Sequence, residues 1–306
     1  MKKTLLALGT LAAVLTANPV WAKETIKVGY FSQLHDAALL DLENKLGDKY
    51  AFEYVKFQRY ADAAIALSRG DIDVSSLGYA NLITEAAKNT EPKFVFVSGL
   101  ARGAINLVCH NDVKVDEWKD LTGKKIGVVA GFPEIFLNDA LTTHGQKVND
   151  VVKVNFAVAG PPVLQSLRDK TTDCAAVFEP FGATAVSGGY AYYPKTNIGD
   201  NSFKGMNNGI AVNVAFASKN KQAIDDIKVS AKNSTNTFSA DTKKWINLMI
   251  TSQGFEPKIV EIGVNRVALD SALYFKEANV LAGNMKTLGL IKNAPTEEHL
   301  KKFFQQ

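Results

Sequence analysis

Two carboxylates stand where a chain of this kind would meet a ligand. Glu134 lies in GVVAGFPEIFLNDAL (residues 127–141), which reads as a strand, a glycine and then apolar residues at helical spacing. Glu179 ends the apolar run of CAAVFEPFG, immediately before Pro180, which cannot continue a central strand ladder. A carboxylate at the end of a buried strand is costly unless it meets a donor, either a ligand amine or a backbone N–H. Its neighbours Phe178 and Phe181 can stack on a planar ligand or pack in the core. Glu134 has two readings: a favourable charge at a helix start, or a second ligand carboxylate beside Glu179. If both face one cleft, the pair calls for a solute carrying amino or ring N–H donors.

Other candidates sit at comparable places. Ser75, Ser76, Gly78 and Tyr79 lead into the helix-like ANLITEAAK, where backbone N–H groups can hold an anionic or ring acceptor; the alternative is a cap and a core tyrosine. Arg102, between Gly99 and Gly103, either clamps an anion or, the preferred reading, braces a hinge through a salt bridge. Gly131 and Phe132 open the Glu134 helix, and Phe31, Gln33, His35 and Asp36 follow an early strand. His35 and Asp36 are adjacent, so on a helix their side chains diverge, and the four histidines show no zinc spacing. A serine-hydrolase elbow, an H-E-x-x-H pair, a phosphate-binding loop and a dinucleotide fingerprint are all missing from the sequence. These absences point to a binding protein with no cofactor and no metal.

The chain has 306 residues and begins with Lys2-Lys3, an apolar stretch from Leu5 to Leu15, and Val20-Trp21-Ala22. This is the pattern of a secretory signal peptide with cleavage expected after Ala22, which places the mature protein in the periplasm. The leader's loss takes the formal charge from +4 to +2, because Lys2 and Lys3 are its only charged residues. Such a small surplus argues against nucleic acid or a membrane surface as partner. Cys109 and Cys174 both lie in apolar strand-like runs and are expected to be buried free thiols.

What would position these groups is a repeated unit. KVGYFSQLHDAALLDLENKL from Lys27 and KKIGVVAGFPEIFLNDALTTHG from Lys124 each read strand, glycine, loop, helix. YAFEYVKF and VVKVNFAV follow as strands, then RYADAAIALSRGDIDV and GPPVLQSLRDKTTDCAAV as helix and strand, with Leu67 six residues before Asp73 and Leu167 six before Asp173. Alternating strands and helices imply parallel sheets covered on both faces, here two α/β lobes. Ligands then bind outside the carboxyl ends of the strands. From Gln222 onward the pattern is helical, including NRVALDSALYFKEANVLAGNMKTLGLI with Ser271 inside a helix, and Ser239 or Asp241 capping one that carries Trp245.

The order of IKVGYFSQLHDAALL, ALSRGDIDVSSLGY, LTGKKIGVVAGFPEIFLNDAL and DCAAVFEPF, over roughly residues 24 to 220, resembles the substrate-binding proteins of bacterial ABC importers. The branch is the one that collects nitrate, taurine, alkanesulfonates and thiamine-pyrimidine precursors. The resemblance implies a type II periplasmic-binding fold, with two α/β lobes, two crossover strands and a cleft that closes on its ligand. Lobe 1 would take residues 23–110 and 206–306, and lobe 2 residues 111–205. The implied site falls on Phe31 to Asp36, Ser76 to Tyr79, Arg102, Gly131 to Glu134, and Glu179. The implied partners are a small solute, a membrane permease and its ATPase, with the binding protein a monomer. Sulfonate and taurine binders typically carry small hydroxyl residues where this chain has Phe132-Pro133-Glu134. That departure favours an amine-bearing or pyrimidine-like solute over a sulfonate. Two rivals remain: an enzyme forming a pyrimidine precursor on the same fold, and a sensory module serving a receptor.

Overall fold

The computed structural model describes residues 23–305, so the expected leader over residues 1–22 lies outside the described residues. The strands are Thr25–Tyr30 (β1), Ala51–Lys56 (β2), Val74–Gly78 (β3), Phe94–Arg102 (β4), Ile105–His110 (β5), Lys125–Val129 (β6), Val152–Phe156 (β7), Cys174–Phe178 (β8), Ala191–Tyr192 (β9), Met206–Asn213 (β10) and Ala268–Leu269 (β11). They form two sheets, ordered β11-β4-β10-β3-β1-β2 and β7-β6-β8-β5-β9.

The two units of the sequence pattern are the parallel hearts of these sheets. β1 pairs in parallel with β2 and β3, and β6 pairs in parallel with β7 and β8. The Asp73/Asp173 echo has a structural cause. Lys27 N donates to Asp73 Oδ2 at 2.8 Å and Asp73 N to Lys27 O at 2.9 Å. In the second sheet Lys125 N donates to Asp173 Oδ2, and Asp173 N to Lys125 O, both at 2.7 Å. Each aspartate satisfies a strand-end N–H that the ladder leaves over, and so fixes the register of the first strand against the third. Leu67 and Leu167, six residues before each aspartate, are fully buried on the helices that cover the sheets.

The chain passes from the first sheet to the second between β4 and β5 and returns before β10. The strand after each passage runs antiparallel to its neighbours: β5 to β8, and β10 to β3 and β4. The two passages lie side by side, with Gly103 N donating to Gly205 O at 2.8 Å. Two short adjacent segments therefore join the lobes, as expected of crossover strands.

Two expectations are corrected. Cys109 and Cys174 are joined in a disulfide, not free. They face each other across the antiparallel β5–β8 pair, with Cα atoms 3.9 Å apart and the flanking bond running from His110 N to Asp173 O. That is a non-hydrogen-bonded pair, the type that brings side chains closest. Ser271 is not helical. Ala268 and Leu269 pair with the edge of β4, Asp270 N donates to Leu100 O and Gly99 N to Ser271 O, and the helix starts only at Phe275. Tertiary strand pairing overrides the local helical pattern there. Asp241 does cap the helix Thr242–Gln253, accepting from Lys243 N, and that helix buries Trp245.

Candidate functional site

A cavity of about 440 Å³ opens between the lobes. Its walls come from the carboxyl ends of the parallel strands of both sheets: Gln33 after β1, Arg59 and Tyr60 after β2, Asn81 and Thr84 after β3, Gly131 and Phe132 after β6, Val158 after β7, and Phe178 at the end of β8. Met285 and Leu290 close one side from the C-terminal helical part. Among the described residues that line it, Arg59 alone carries a charge.

Three helix starts meet this space. Helices Tyr60–Arg69, Tyr79–Lys88 and Phe132–Thr143 follow Arg59, Gly78 and Gly131, and none of these N-caps accepts a hydrogen bond with its side chain. Gly131 holds φ at +104°, a conformation side-chain-bearing residues avoid, and it starts a helix whose second residue is Pro133, which needs no N–H partner there. The positive ends of the three helices favour an anion. Arg59 donates through Nε and a terminal nitrogen to Asp62 at 3.0 and 2.7 Å, leaving its other N–H groups free of that carboxylate.

Behind the cavity wall lies a buried polar network. The Tyr60 hydroxyl donates to Gln33 Oε1 at 2.5 Å, and so accepts from Asn208 Nδ2 at 2.8 Å and from His35 Nε2 at 2.9 Å. Asn208 Nδ2 also reaches Ser76 Oγ at 3.4 Å. Phe31 N donates to Asp36 Oδ2 at 2.7 Å, and the Phe31 ring packs on Tyr60 with centroids 4.0 Å apart. Burial pushes the Asp36 carboxyl up to about 7, against the bonds from Ser76 and Phe31, and pushes His35 down to about 3. His35 is therefore uncharged near neutral pH, so the 3.8 Å His35–Asp36 approach is not an ion pair. The network locks the orientation of Tyr60 and Gln33, the two of its members that reach the cavity.

Of the residues singled out from sequence, Gln33, Gly131, Phe132 and Phe178 line the cavity. Phe31, His35, Asp36 and Ser76 stand behind it, and Gly78 lies beneath Phe132, whose ring would be 3.1 Å from a β-carbon at that position. Tyr79 is buried against Phe96, its hydroxyl accepting from Tyr274 N. Arg102 faces the hinge, 3.3 Å from Asp270 Oδ2, which is the bracing contact preferred from sequence. Glu134 is held by Lys153 Nζ at 2.7 Å. Glu179 is fully buried, accepting from Ala183 N at 3.0 Å and Tyr193 Oη at 2.9 Å; burial pushes it up to about 7, against these bonds and the Arg266 charge. The two carboxylates thus form no paired acidic wall, because each already has its donors within the protein. Sequence reasoning missed Arg59, Tyr60, Asn81 and Thr84.

Residues 3–197 match the NMT1-like family. The chain belongs to that family. No curated protein matches it. Solved structures resemble this family member along nearly its whole length. The alkanesulfonate-binding protein SsuA of Xanthomonas axonopodis pv. citri, bound to MOPS, is 15% identical with a TM-score of 0.73, over 93% of this chain and 99% of that one. The ligand-binding component of an ABC-type import system from Staphylococcus aureus, with zinc bound, is 17% identical at 0.77, over 92% and 97%. The periplasmic nitrate-binding protein NrtA of Synechocystis PCC 6803 is 13% identical at 0.73, over 92% and 86%. These are binding proteins rather than enzymes, and the shared architecture is the type II periplasmic-binding fold. Among the described residues no grouping of three or more His, Cys, Asp or Glu would hold a metal ion, and no helix is long and apolar enough to cross a membrane.

Proposed function

We propose that this chain is the non-enzymatic solute-binding component of an ABC importer, exported to the periplasm, and that it captures a small organic anion with an apolar or planar body. The observation that carries the reading is the composition of the cavity: both lobes wall it, three uncapped helix starts and Arg59 supply its positive potential, and among the described residues no carboxylate lines it. Phe132, Phe178 and Tyr60 offer flat apolar surface to the solute body, and Gln33, Asn81 and Thr84 offer hydrogen bonds. Fold neighbours that bind an alkanesulfonate or nitrate support the class of solute.

The mechanism is a shift between open and closed lobes. Contacts to both rims exist only when the cleft is shut, so solute binding energy goes into the closed population. The paired passages at Gly103 and Gly205 are where that motion is absorbed. The closed form is what a permease and its ATPase would receive. A thermal-shift screen of the mature protein against alkanesulfonates, small carboxylates, nitrate, pyrimidines and amines tests the reading. A true ligand at 100 times its Kd should add about 2.7 kcal/mol of stability. Stabilisation by sulfonates or carboxylates supports the reading, and stabilisation by amines alone overturns it.

A further inference from the structure

A second cavity, of about 310 Å³, lies at the hinge and shares no lining residue with the first. Both passages between the lobes line it, through Arg102-Gly103 and Lys204-Gly205. Asn106 and Asn197 line it from the second-lobe side, and Asn265 and Arg266 from the segment before β11. Gly103 and Gly205 both hold φ at +66°, so the passages bring bare backbone to the cavity wall.

Three cations therefore meet three carboxamides in one polar recess. Arg102 is 3.3 Å from Asp270 Oδ2, and Lys204 Nζ is 3.1 Å from Glu277 Oε1, but neither acid lines the cavity. The Arg102 contact is made by Nε, as a charge contact to Asp270 without hydrogen-bond geometry. The Arg266 guanidinium lies 4.0 Å above the Tyr193 ring, and among the described residues it has no carboxylate within salt-bridge reach. Such a recess holds more positive charge and more donors than its own acids satisfy, which suits an anion with several acceptor oxygens.

We propose that the hinge cavity binds a small multivalent oxyanion of the phosphate or pyrophosphate class. Its walls belong to both lobes and both passages, so its affinity depends on the angle between the lobes. Linkage then requires that anion and solute change each other's affinity by the same factor.

Calorimetric titration of the mature protein with inorganic phosphate and with pyrophosphate, at constant ionic strength in chloride, tests this. Wild type should bind one of them saturably at one site. The Lys204→Gln/Arg266→Gln double variant should bind about tenfold more weakly or worse, as expected when charge-assisted contacts are lost. Both positions are exposed, so the fold should survive, and each single variant should show a partial loss. Arg59→Ala should leave this binding intact. Heats no larger than a chloride control, equal binding in the double variant, or loss of binding in Arg59→Ala instead would each overturn the proposal; the last would place the anion in the solute cavity.

Discussion

The Phe132 ring of the second lobe rests on Gly78 of the first, so close that a β-carbon at Gly78 would stand 3.1 Å from Phe132 Cδ1. This is one of the contacts between the rims, as is the Phe178 ring beside Tyr60, with centroids 5.8 Å apart. Gly78 has an ordinary extended backbone, φ −72° and ψ 147°, so a side chain there strains the cleft and not the strand. Gly78→Val is expected to hold the lobes apart, weakening solute binding by about tenfold or more while leaving the unliganded melting temperature near that of wild type. Isothermal titration and a thermal melt on the same preparation check it.

Arg59 and Glu134 should separate cleanly. Arg59→Ala removes the cavity's charged donor and is expected to cost about 1.5–3 kcal/mol of solute binding, the range for a hydrogen bond to a charged group. Glu134→Gln alters a residue that faces Lys153 rather than the cavity, and should change the solute Kd less than about twofold. A large loss in Glu134→Gln would restore the acidic-wall reading.

Glu179 makes stability depend on pH. Burial raises its folded pKa to about 7, above the ordinary value of 4.5, so the folded state holds its proton over a range where the unfolded state has released it. Its contribution is complete below about pH 4.5 and is lost as pH rises through about 7. His35, pushed down to about 3, acts in the opposite sense: its contribution is present above its unfolded value and is lost as pH falls. Comparison with a variant isolates the first effect. The stability of Glu179→Gln relative to wild type should rise from pH 4.5 to 7 in urea titrations; a pH-independent difference would contradict the buried-acid assignment.

The Cys109–Cys174 bridge closes a loop between residues 65 apart. The chain-entropy relation gives about 4 kcal/mol for a loop of that size. Cys109→Ser/Cys174→Ser should lose stability on that order in urea unfolding. Both cysteines are fully buried, so wild type should keep the bridge in mild reductant until it unfolds.

The sequence revealed the scaffold more readily than the site, and the reason is physical. Strand–helix alternation is legible over residues 27–74 and 124–174, and the matching Asp73 and Asp173 turned out to play the same hydrogen-bonding part in each sheet. The parallel strands also told where the inter-lobe cavity lies, at their carboxyl ends. That rule, applied to β2, reaches Arg59 and Tyr60; in FQRYADAAIALSRG both look like the polar start of an amphipathic helix. Glu134 and Glu179 were misleading because a carboxylate's partner is set by tertiary packing. Nothing near Glu134 in the chain announces Lys153, nineteen residues on, and nothing near Glu179 announces Tyr193. The disulfide was hidden likewise, since it depends on β5 lying antiparallel beside β8, a consequence of the passage between lobes.

Small-angle X-ray scattering of the mature protein, free and saturated with the sulfonate or carboxylate that stabilises it, addresses the claim that two lobes shut over a shared anion cavity. The radius of gyration should fall on saturation in wild type and stay unchanged in Gly78→Val at the same anion concentration. A saturating ligand that leaves the wild-type radius unaltered would contradict capture by closure.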